Sequence, residues 1–298
     1  MMPYLDLEHS PMILEKNHGY LSTPIELLCL VLMRLGSMAE MHLIRLLFVR
    51  KGVSQLSKMS NDTAAYLVNR FESLLFYSRR LFQPDRLELY NKCVLNKVGK
   101  LNVTFRQRGR EIFQDVVGFI DGSIVIVRRP HTLAAQREYY NGNKKKHCVN
   151  FHAVVMPDGL AISLSCILPG TYHDSKVYRQ SGLEEIMDNH FQRDVGHWRL
   201  LGDKGYAGPD TNYIESPAKV TKRQTTRERR NKKFDAQVIA KIRITNEWFF
   251  HHLHSNFPYM KTGRLQINSQ NVPHIIFCSV FFSNIKTCLH PPQGSKYF

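Results

Sequence analysis

Two aspartates occupy places where a buried strand would not be expected to carry a charge. Asp121 lies inside the apolar run from Val116 to Val125, where an unpaired carboxylate would cost several kcal/mol if it were desolvated. Asp203 follows the stretch from Trp198 to Gly202, so its carboxylate would emerge at the end of a strand, where open α/β sheets commonly place functional groups. The charge of Asp121 therefore needs compensation, and Asp203 is a candidate functional residue.

Two further acids are candidates for the same site. Asp174 stands at the start of a predicted helix, and Glu247 lies within another, one turn after Arg243. Like charges a few ångströms apart repel and raise each other's pKa, so a cluster of carboxylates needs bound cations. Mg²⁺ and Mn²⁺ prefer oxygen ligands, and a pair of such ions can support an in-line displacement at a phosphodiester. The four acids therefore indicate metal-dependent phosphodiester chemistry.

Each acid also has a purely structural interpretation. Asp121 fits a turn, and Asp174 fits a helix cap. Glu247 fits one half of an ion pair with Arg243 on the same helix face. Residue types and spacing leave both interpretations open.

A strongly basic stretch lies between Asp203 and Glu247. Eight cations there accompany a single acid, Glu228; they are Lys219, Lys222, Arg223, Arg227, Arg229, Arg230, Lys232 and Lys233. Such a stretch is typical of phosphate contacts or of a nuclear-import signal. A solvated loop is the alternative.

The middle of the chain changes from a helical to a strand pattern near residue 115. Val116–Arg128, Cys148–Met156 and Leu160–Leu168 predict three consecutive strands, with a tight turn at Pro157–Gly159 between the last two. A helix after Asp174, a short strand at 198–201 and a helix from about 234 to 254 complete a predicted βββαβα order. A last apolar segment, 272–286, predicts a packing helix.

The first hundred residues have a helical pattern. Thr23, Pro24 and Glu26 form a capping box in front of an apolar run, which predicts a helix that ends near Gly36. A second periodic stretch covers 38–49, and a third helix is expected after Asn61 and Asp62. Short helices joined by small turns fit either a helix-turn-helix DNA reader or a simple bundle.

Composition limits the class of protein. The 298 residues are 43% hydrophobic, which is enough for a full core. A net charge of +16 and a sequence pI near 9.7 favour a polyanionic partner. The six scattered cysteines lack a CxxC motif, so neither a zinc knuckle nor a disulfide framework is expected. The longest apolar run has seven residues, far short of the roughly 18 to 20 that cross a bilayer, and the N-terminus lacks signal-peptide features. An intracellular protein with no membrane partner is expected.

A set of short motifs follows one order along the second half of the chain. They are 120–123 (IDGS), 139–141 (YYN), 157–159 (PDG), 169–170 (PG), 173–175 (HDS), 202–206 (GDKGY), 216–217 (SP), and Arg243 with 246–247 (NE). In this order they resemble PIF/Harbinger-type transposases and the transposase-derived Harbinger nucleases. The resemblance covers roughly residues 115 to 260, with a weaker match over 27–75.

This resemblance implies an α/β fold, in which an RNase H-like catalytic domain, a mixed sheet flanked by helices, follows an N-terminal helical region. It implies a DDE/D site with Asp121, Asp203 and Glu247 as catalytic acids, Asp174 as a further metal ligand, and Mg²⁺ or Mn²⁺ as cofactor. The domains would be a helical region over 1–110, the nuclease domain over 115–260, and a C-terminal packing helix and tail over 261–298. DNA as substrate, a nuclear location and a separate Myb-like DNA-binding partner are also implied.

One departure from the family pattern lies after Glu247. Relatives usually carry a basic residue there, whereas this helix carries His251, His252 and His254, which predicts weaker contacts to DNA strand ends. The histidines lack the HExxH spacing of zinc hydrolases. The alternative from a different class is a domesticated, catalytically inactive DNA-binding or scaffold protein. An RNase acting on RNA or hybrids would share the fold and the chemistry.

Overall fold

The structure, a computed structural model, places a mixed sheet between helices that come from both ends of the chain. It describes residues 22–48, 51–76, 82–165, 167–193, 196–207, 212–218, 224–267 and 272–290.

The N-terminal region is helical, as predicted, and the first helix has the predicted bounds. Helix α1 (Pro24–Gly36) begins behind a capping box, in which the Thr23 hydroxyl accepts from the Glu26 amide and the Glu26 carboxylate accepts from the Thr23 amide. The later helices are α2 (Met41–Ile44), α3 (Val53–Phe71), α4 (Ser73–Phe76), α5 (Pro84–Gly99) and α6 (Val103–Phe113).

Two of the predicted helical boundaries are wrong. Helix α3 starts at Val53, well before Asn61. Asn61 lies inside this helix, where its side chain accepts a 2.7 Å hydrogen bond from Arg34. Among its described residues, the second stretch is helical in α2 and in a 3₁₀ turn at Arg45–Leu47, so the predicted continuous helix is broken into two short pieces. Ile44 is buried against α1 and α3, with Met41 and Phe48 packed beside it, whereas Leu46 and Leu47 are exposed.

The sheet is built on one long central strand, β1 (Val116–Ile126). It pairs antiparallel with β3 (Lys146–Val155), which also pairs with β4 (Ala161–Leu164). On its other side, β1 pairs parallel with β6 (Arg199–Leu201). The sheet is completed by three two-residue strands, namely β2 (Tyr140–Asn141), β5 (Leu168–Pro169) and β7 (Ile214–Glu215). The strand order β2-β3-β1-β6-β7 confirms the mixed α/β architecture expected of an RNase H-like domain.

Five helices of the second half surround this sheet in the described residues: α7 (Leu133–Tyr139), α8 (Asp174–Gln180), α9 (Leu183–His190), α10 (Thr226–Asn256) and α11 (Val272–Leu289). Helix α10 begins about two turns before the predicted start, because Thr225 and Glu228 form a capping box. The described half of the basic stretch is therefore helical and not a loop.

The C-terminal helix α11 is a core element, as predicted. By length and composition it could cross a membrane, but 56% of that segment is buried inside the protein. Its residues Ile276 and Phe281 belong to a cluster that also contains Leu67 of α3 and Phe151 of β3. The N-terminal helices, the sheet and α11 therefore share one hydrophobic core.

Asn91 of α5 fixes the start of the strand that carries Asp121. Its buried amide group donates to the carbonyls of Phe113 (3.1 Å) and Val116 (2.9 Å). We expect Asn91→Ala to lower the free energy of unfolding by about 1–3 kcal/mol, because two buried carbonyls lose their donor. Urea denaturation measures this, with the exposed Glu88→Ala on the same helix as control, expected to change stability by about 0.5 kcal/mol or less. Equal effects of the two substitutions would contradict this role of Asn91.

Candidate metal centre

Asp121 lies in the middle of β1, opposite Ala153 of β3. Its side chain is 21% exposed. Burial raises the pKa of this carboxyl to about 6, with smaller increases from Asp203 and Asp174, while Arg243 and the Gly122 amide lower it. The Oδ1 atom accepts from the Gly122 amide at 2.9 Å. Asp121 is therefore a strand residue and not a turn residue, and its burial disfavours the ionised carboxylate.

Asp203 follows the end of β6, next to β1 in the sheet. It begins a 3₁₀ turn (Lys204–Tyr206), and its Oδ1 atom accepts from the Gly205 amide at 2.6 Å. Because β1 and β6 are parallel, Asp203 lies at the edge toward which β1 runs. This confirms the predicted position at a strand end.

Asp174 is the first residue of α8, and its side chain points between β1 and the turn after β6. A Cβ atom on Gly122 would lie 2.7 Å from Asp174 Oδ1, and a Cβ atom on Gly205 would lie 2.7 Å from Asp174 Oδ2. Both glycines therefore leave space that the carboxylate uses. The same point beside Gly205 lies 2.8 Å from Asp203 Oδ1, so oxygens of both acids border a single glycine-lined gap.

A buried histidine and tyrosine form the floor of this acid cluster. His152 of β3 is 2% exposed, and its Nε2 atom lies 3.5 Å from Asp174 Oδ1. Its Nδ1 atom is 3.1 Å from the Tyr206 hydroxyl. Burial, and then the carboxylates of Asp174, Asp121 and Asp203, hold the pKa of Tyr206 well above its usual value. The negative charges of all three aspartates therefore act on the Tyr206 hydroxyl.

Glu247 joins the aspartates only through Arg243. The Arg243 guanidinium donates to Asp121 Oδ2 at 3.3 Å and to Glu247 Oε1 at 3.2 Å, and the Glu247 side chain is 60% exposed. The structure therefore confirms the ion pair of Glu247 with Arg243, and through this guanidinium Glu247 is connected to Asp121. In the part of the chain that is described, no group of three or more histidine, cysteine or acidic side chains is arranged as a formed metal site.

The donors nevertheless fit a hard divalent cation. Three aspartate carboxylates border the space that Gly122 and Gly205 leave open, and oxygen donors of this kind are those that Mg²⁺ and Mn²⁺ prefer. Arg243 supplies the positive charge that the cluster needs without a bound ion. The sequence showed the Arg243–Glu247 spacing but gave no signal for the bond to Asp121, since that contact joins residues far apart in the chain.

The histidines after Glu247 do not form one surface. His254 turns inward, with its Nε2 atom 2.8 Å from the Ser123 hydroxyl of β1. Burial, with a smaller contribution from Lys261, lowers the pKa of His254 to about 4, so its ring is neutral at physiological pH. His254 therefore packs against β1, whereas His251 and His252 are exposed.

The predicted nucleic-acid contacts divide into two groups. Lys219, Lys222 and Arg223 lie outside the described residues. The other five, Arg227, Arg229, Arg230, Lys232 and Lys233, lie on the first turns of α10. Arg229, Arg230 and Lys233 border an open groove of about 830 Å³ between α10 and the start of α6, where Phe105 stacks on Phe234.

The raised pKa of Asp121 predicts a pH-dependent stability in the absence of metal. The folded protein keeps this proton up to about pH 6, whereas the unfolded chain releases it near its usual pKa of 3.8. The stability of the wild type should therefore fall, relative to Asp121→Asn, as the pH rises from 4 to 7, by an amount on the order of 2 kcal/mol. Urea denaturation in EDTA at several pH values measures this difference, and parallel pH profiles would contradict it.

One comparison with known proteins identifies the family of the chain. A model of the family described as DDE superfamily endonuclease matches residues 120–284, more than half of the chain. No curated protein and no solved structure matches the chain. Such endonucleases are transposase-like enzymes that act on DNA and generally use divalent metals. Because the match runs from the strand of Asp121 through α10 into α11 and includes all four acids, the chain belongs to the DDE superfamily endonuclease family.

Proposed function

We propose that the protein is a divalent-metal-dependent DNA endonuclease or transposase of the PIF/Harbinger type. The observation that carries this proposal is the convergence of three aspartates, in which Asp174 and Asp203 border Gly205 and Asp121 accepts from the Gly122 amide, with Glu247 one ion pair away. The ordered motifs between Ile120 and Glu247 support the PIF/Harbinger type.

In this proposal, Asp121, Asp203 and Glu247 are the catalytic acids, and Asp174 is a further ligand of two Mg²⁺ or Mn²⁺ ions. Such ions, when bound, activate water and stabilise the charge that develops on the phosphodiester oxygens. In transposition, the 3′-hydroxyl that cleavage frees would then attack target DNA.

The contribution of the chain itself is to hold the acids in place. The amides of Gly122 and Gly205 orient the carboxylates of Asp121 and Asp203. Arg243 neutralises Asp121 and keeps Glu247 within reach of it. A bound cation would take over this neutralising role, which leaves the guanidinium to pair with a phosphate of the substrate.

The groove between α6 and α10 is the proposed surface for duplex DNA. Arg230 and Lys233 are exposed there, on the same continuous helix as Glu247. Fourteen residues separate Lys233 from Glu247, which is about 21 Å along a helix. A duplex that contacts the first turns of α10 could therefore extend to the acids.

The same family resemblance supports two proposals about the cellular setting. We propose a nuclear location, to which the basic stretch 219–233 would contribute as an import signal. We also propose that a separate Myb-like protein directs the nuclease to its DNA sites.

Cleavage of labelled duplex DNA tests the proposed activity. We expect nicking in Mg²⁺ or Mn²⁺ that EDTA abolishes. Asp203→Asn and Glu247→Gln should each lower the rate by at least about 100-fold, because each change removes a carboxylate from the site. The exposed Glu185→Gln on α9 is the matched control and should retain the wild-type rate.

Three outcomes would contradict parts of this proposal. Cleavage that survives in both variants would exclude these acids as the catalytic site. Preference for RNA or an RNA–DNA hybrid over duplex DNA would favour the ribonuclease alternative. Tight DNA binding without cleavage in any metal would favour the catalytically inactive DNA-binding protein.

The α6–α10 groove generates a separate prediction. Arg230→Gln combined with Lys233→Gln should weaken duplex binding and reduce the slope of log affinity against log salt by about one for each lost phosphate contact. Fluorescence anisotropy at several salt concentrations in EDTA measures both quantities. Lys92→Gln, an exposed lysine of α5 paired with Glu88, is the control and should bind as the wild type does. An unchanged slope in the double variant would remove this groove from the DNA surface.

A further inference from the structure

A second basic pocket lies beyond the end of β1, away from the α6–α10 groove. After β1, Val127 pairs with Leu265, and the Arg128 amide donates to the Leu265 carbonyl at 2.8 Å. The chain then turns into α7. The pocket in this corner, here called the β1-end pocket, has a volume of about 240 Å³ and is lined in part by Arg128, Arg129, Pro130, His131, Tyr139 and Gln266.

The two arginines of this pocket carry charges that acids do not offset. Among the described residues, no carboxylate lies within ion-pair distance of the Arg128 or Arg129 guanidinium, and both residues are exposed. Arg129 is held in place, because it donates to Gln136 at 2.8 Å and Gln136 in turn donates to the Pro130 carbonyl at 2.8 Å. A fixed guanidinium beside a second one is a ready partner for a phosphate group.

The volume and the lining residues of the pocket fit a ligand larger than a phosphate group. Since a water takes up about 30 Å³ in the liquid, a volume of 240 Å³ is room for about eight waters, which is comparable to one nucleobase and far too little for a duplex. The walls of the pocket include two rings, those of His131 and of Tyr139, which is half-buried against the core. Unpaired bases bind proteins by stacking on aromatic rings and guanidinium planes, with polar groups on their edges.

A DNA strand bound at the acid cluster could also extend to this pocket. Arg128 follows Asp121 by seven residues along extended chain, which is about 23 Å. Because Phe119 pairs with Leu201, Asp203 lies near the level of Asp121, and the pocket lies beyond both acids in the direction in which β1 runs.

We propose that the β1-end pocket binds one unpaired nucleotide of a DNA strand, with its phosphate on Arg128 and Arg129 and its base against Tyr139. The pocket would thereby hold a strand end or an unpaired flank while the duplex lies at the acids. This inference rests on the proposed function in taking DNA as the ligand, but it does not require cleavage.

Anisotropy in EDTA tests the pocket with three labelled probes of one sequence: a blunt duplex, the same duplex with a 3′ overhang, and the single strand. The wild type should bind the overhang probe more tightly than the blunt one. Arg128→Gln with Arg129→Gln should remove this preference, with a loss of about tenfold or more on the overhang probe. Tyr139→Leu should weaken overhang binding by about fivefold or more, whereas Tyr139→Phe, which keeps the ring, should restore it.

Arg137→Gln, an exposed arginine on α7 outside the pocket lining, is the matched control and should bind all three probes as the wild type does. The inference is overturned if the double arginine variant keeps the overhang preference, or if it loses affinity for blunt and overhang probes equally. It stands if the preference depends on Arg128, Arg129 and the Tyr139 ring, even in a protein that fails to cleave DNA. Failure of the pocket and failure of the nuclease are thus separate results.

Discussion

The structure depends on placing several carboxylates close together in a partly buried part of the sheet. Asp121 is the extreme case, because it lies within an apolar strand, where burial and, to a smaller extent, Asp203 and Asp174 raise the pKa of its carboxyl. The protein offsets this cost with backbone amides at Gly122 and Gly205 and with the Arg243 guanidinium. The two glycines are required for a second reason, since any side chain there would meet the Asp174 carboxylate. The close packing of carboxylates that could bind a cation is therefore also what destabilises this part of the fold.

The arrangement of the elements follows from this requirement. Parallel pairing of β1 and β6 brings Asp121 near the turn after β6 that carries Asp203, and Asp174 at the start of α8 borders the glycines beside both. Helix α10 then brings Arg243 and Glu247 to the same edge. The N-terminal helices hold the sheet in place. Helix α5 bonds to the start of β1, and α3 packs with α11 in the shared core. The order of the elements along the chain thus serves a site assembled from four distant segments.

Local signals in the sequence predicted local features well. The capping box at Thr23, the strands on either side of Pro157–Gly159 and the strand-end position of Asp203 depend on near neighbours and are confirmed. The prediction of three consecutive strands is wrong, because α7 and β2 lie between β1 and β3. Contacts between distant segments were not predictable in this way. Asn61 resembled a helix start but bonds to Arg34, and Arg243 resembled a simple partner of Glu247 but also bonds to Asp121. The β1-end pocket likewise forms only when the chain near Leu265 packs beside Val127.

The charge distribution links cation binding to DNA binding. The chain as a whole carries +16, yet its acid cluster would repel phosphates that come close to it. With Arg243 as the cation beside Asp121, the cluster is only partly neutralised, since in the described contacts this guanidinium pairs with Asp121 and Glu247 but not with Asp174 or Asp203. Divalent ions would add the missing positive charge and let the backbone approach. Metal and DNA should therefore strengthen each other's binding, because each reduces the electrostatic cost that the other meets at the same acids.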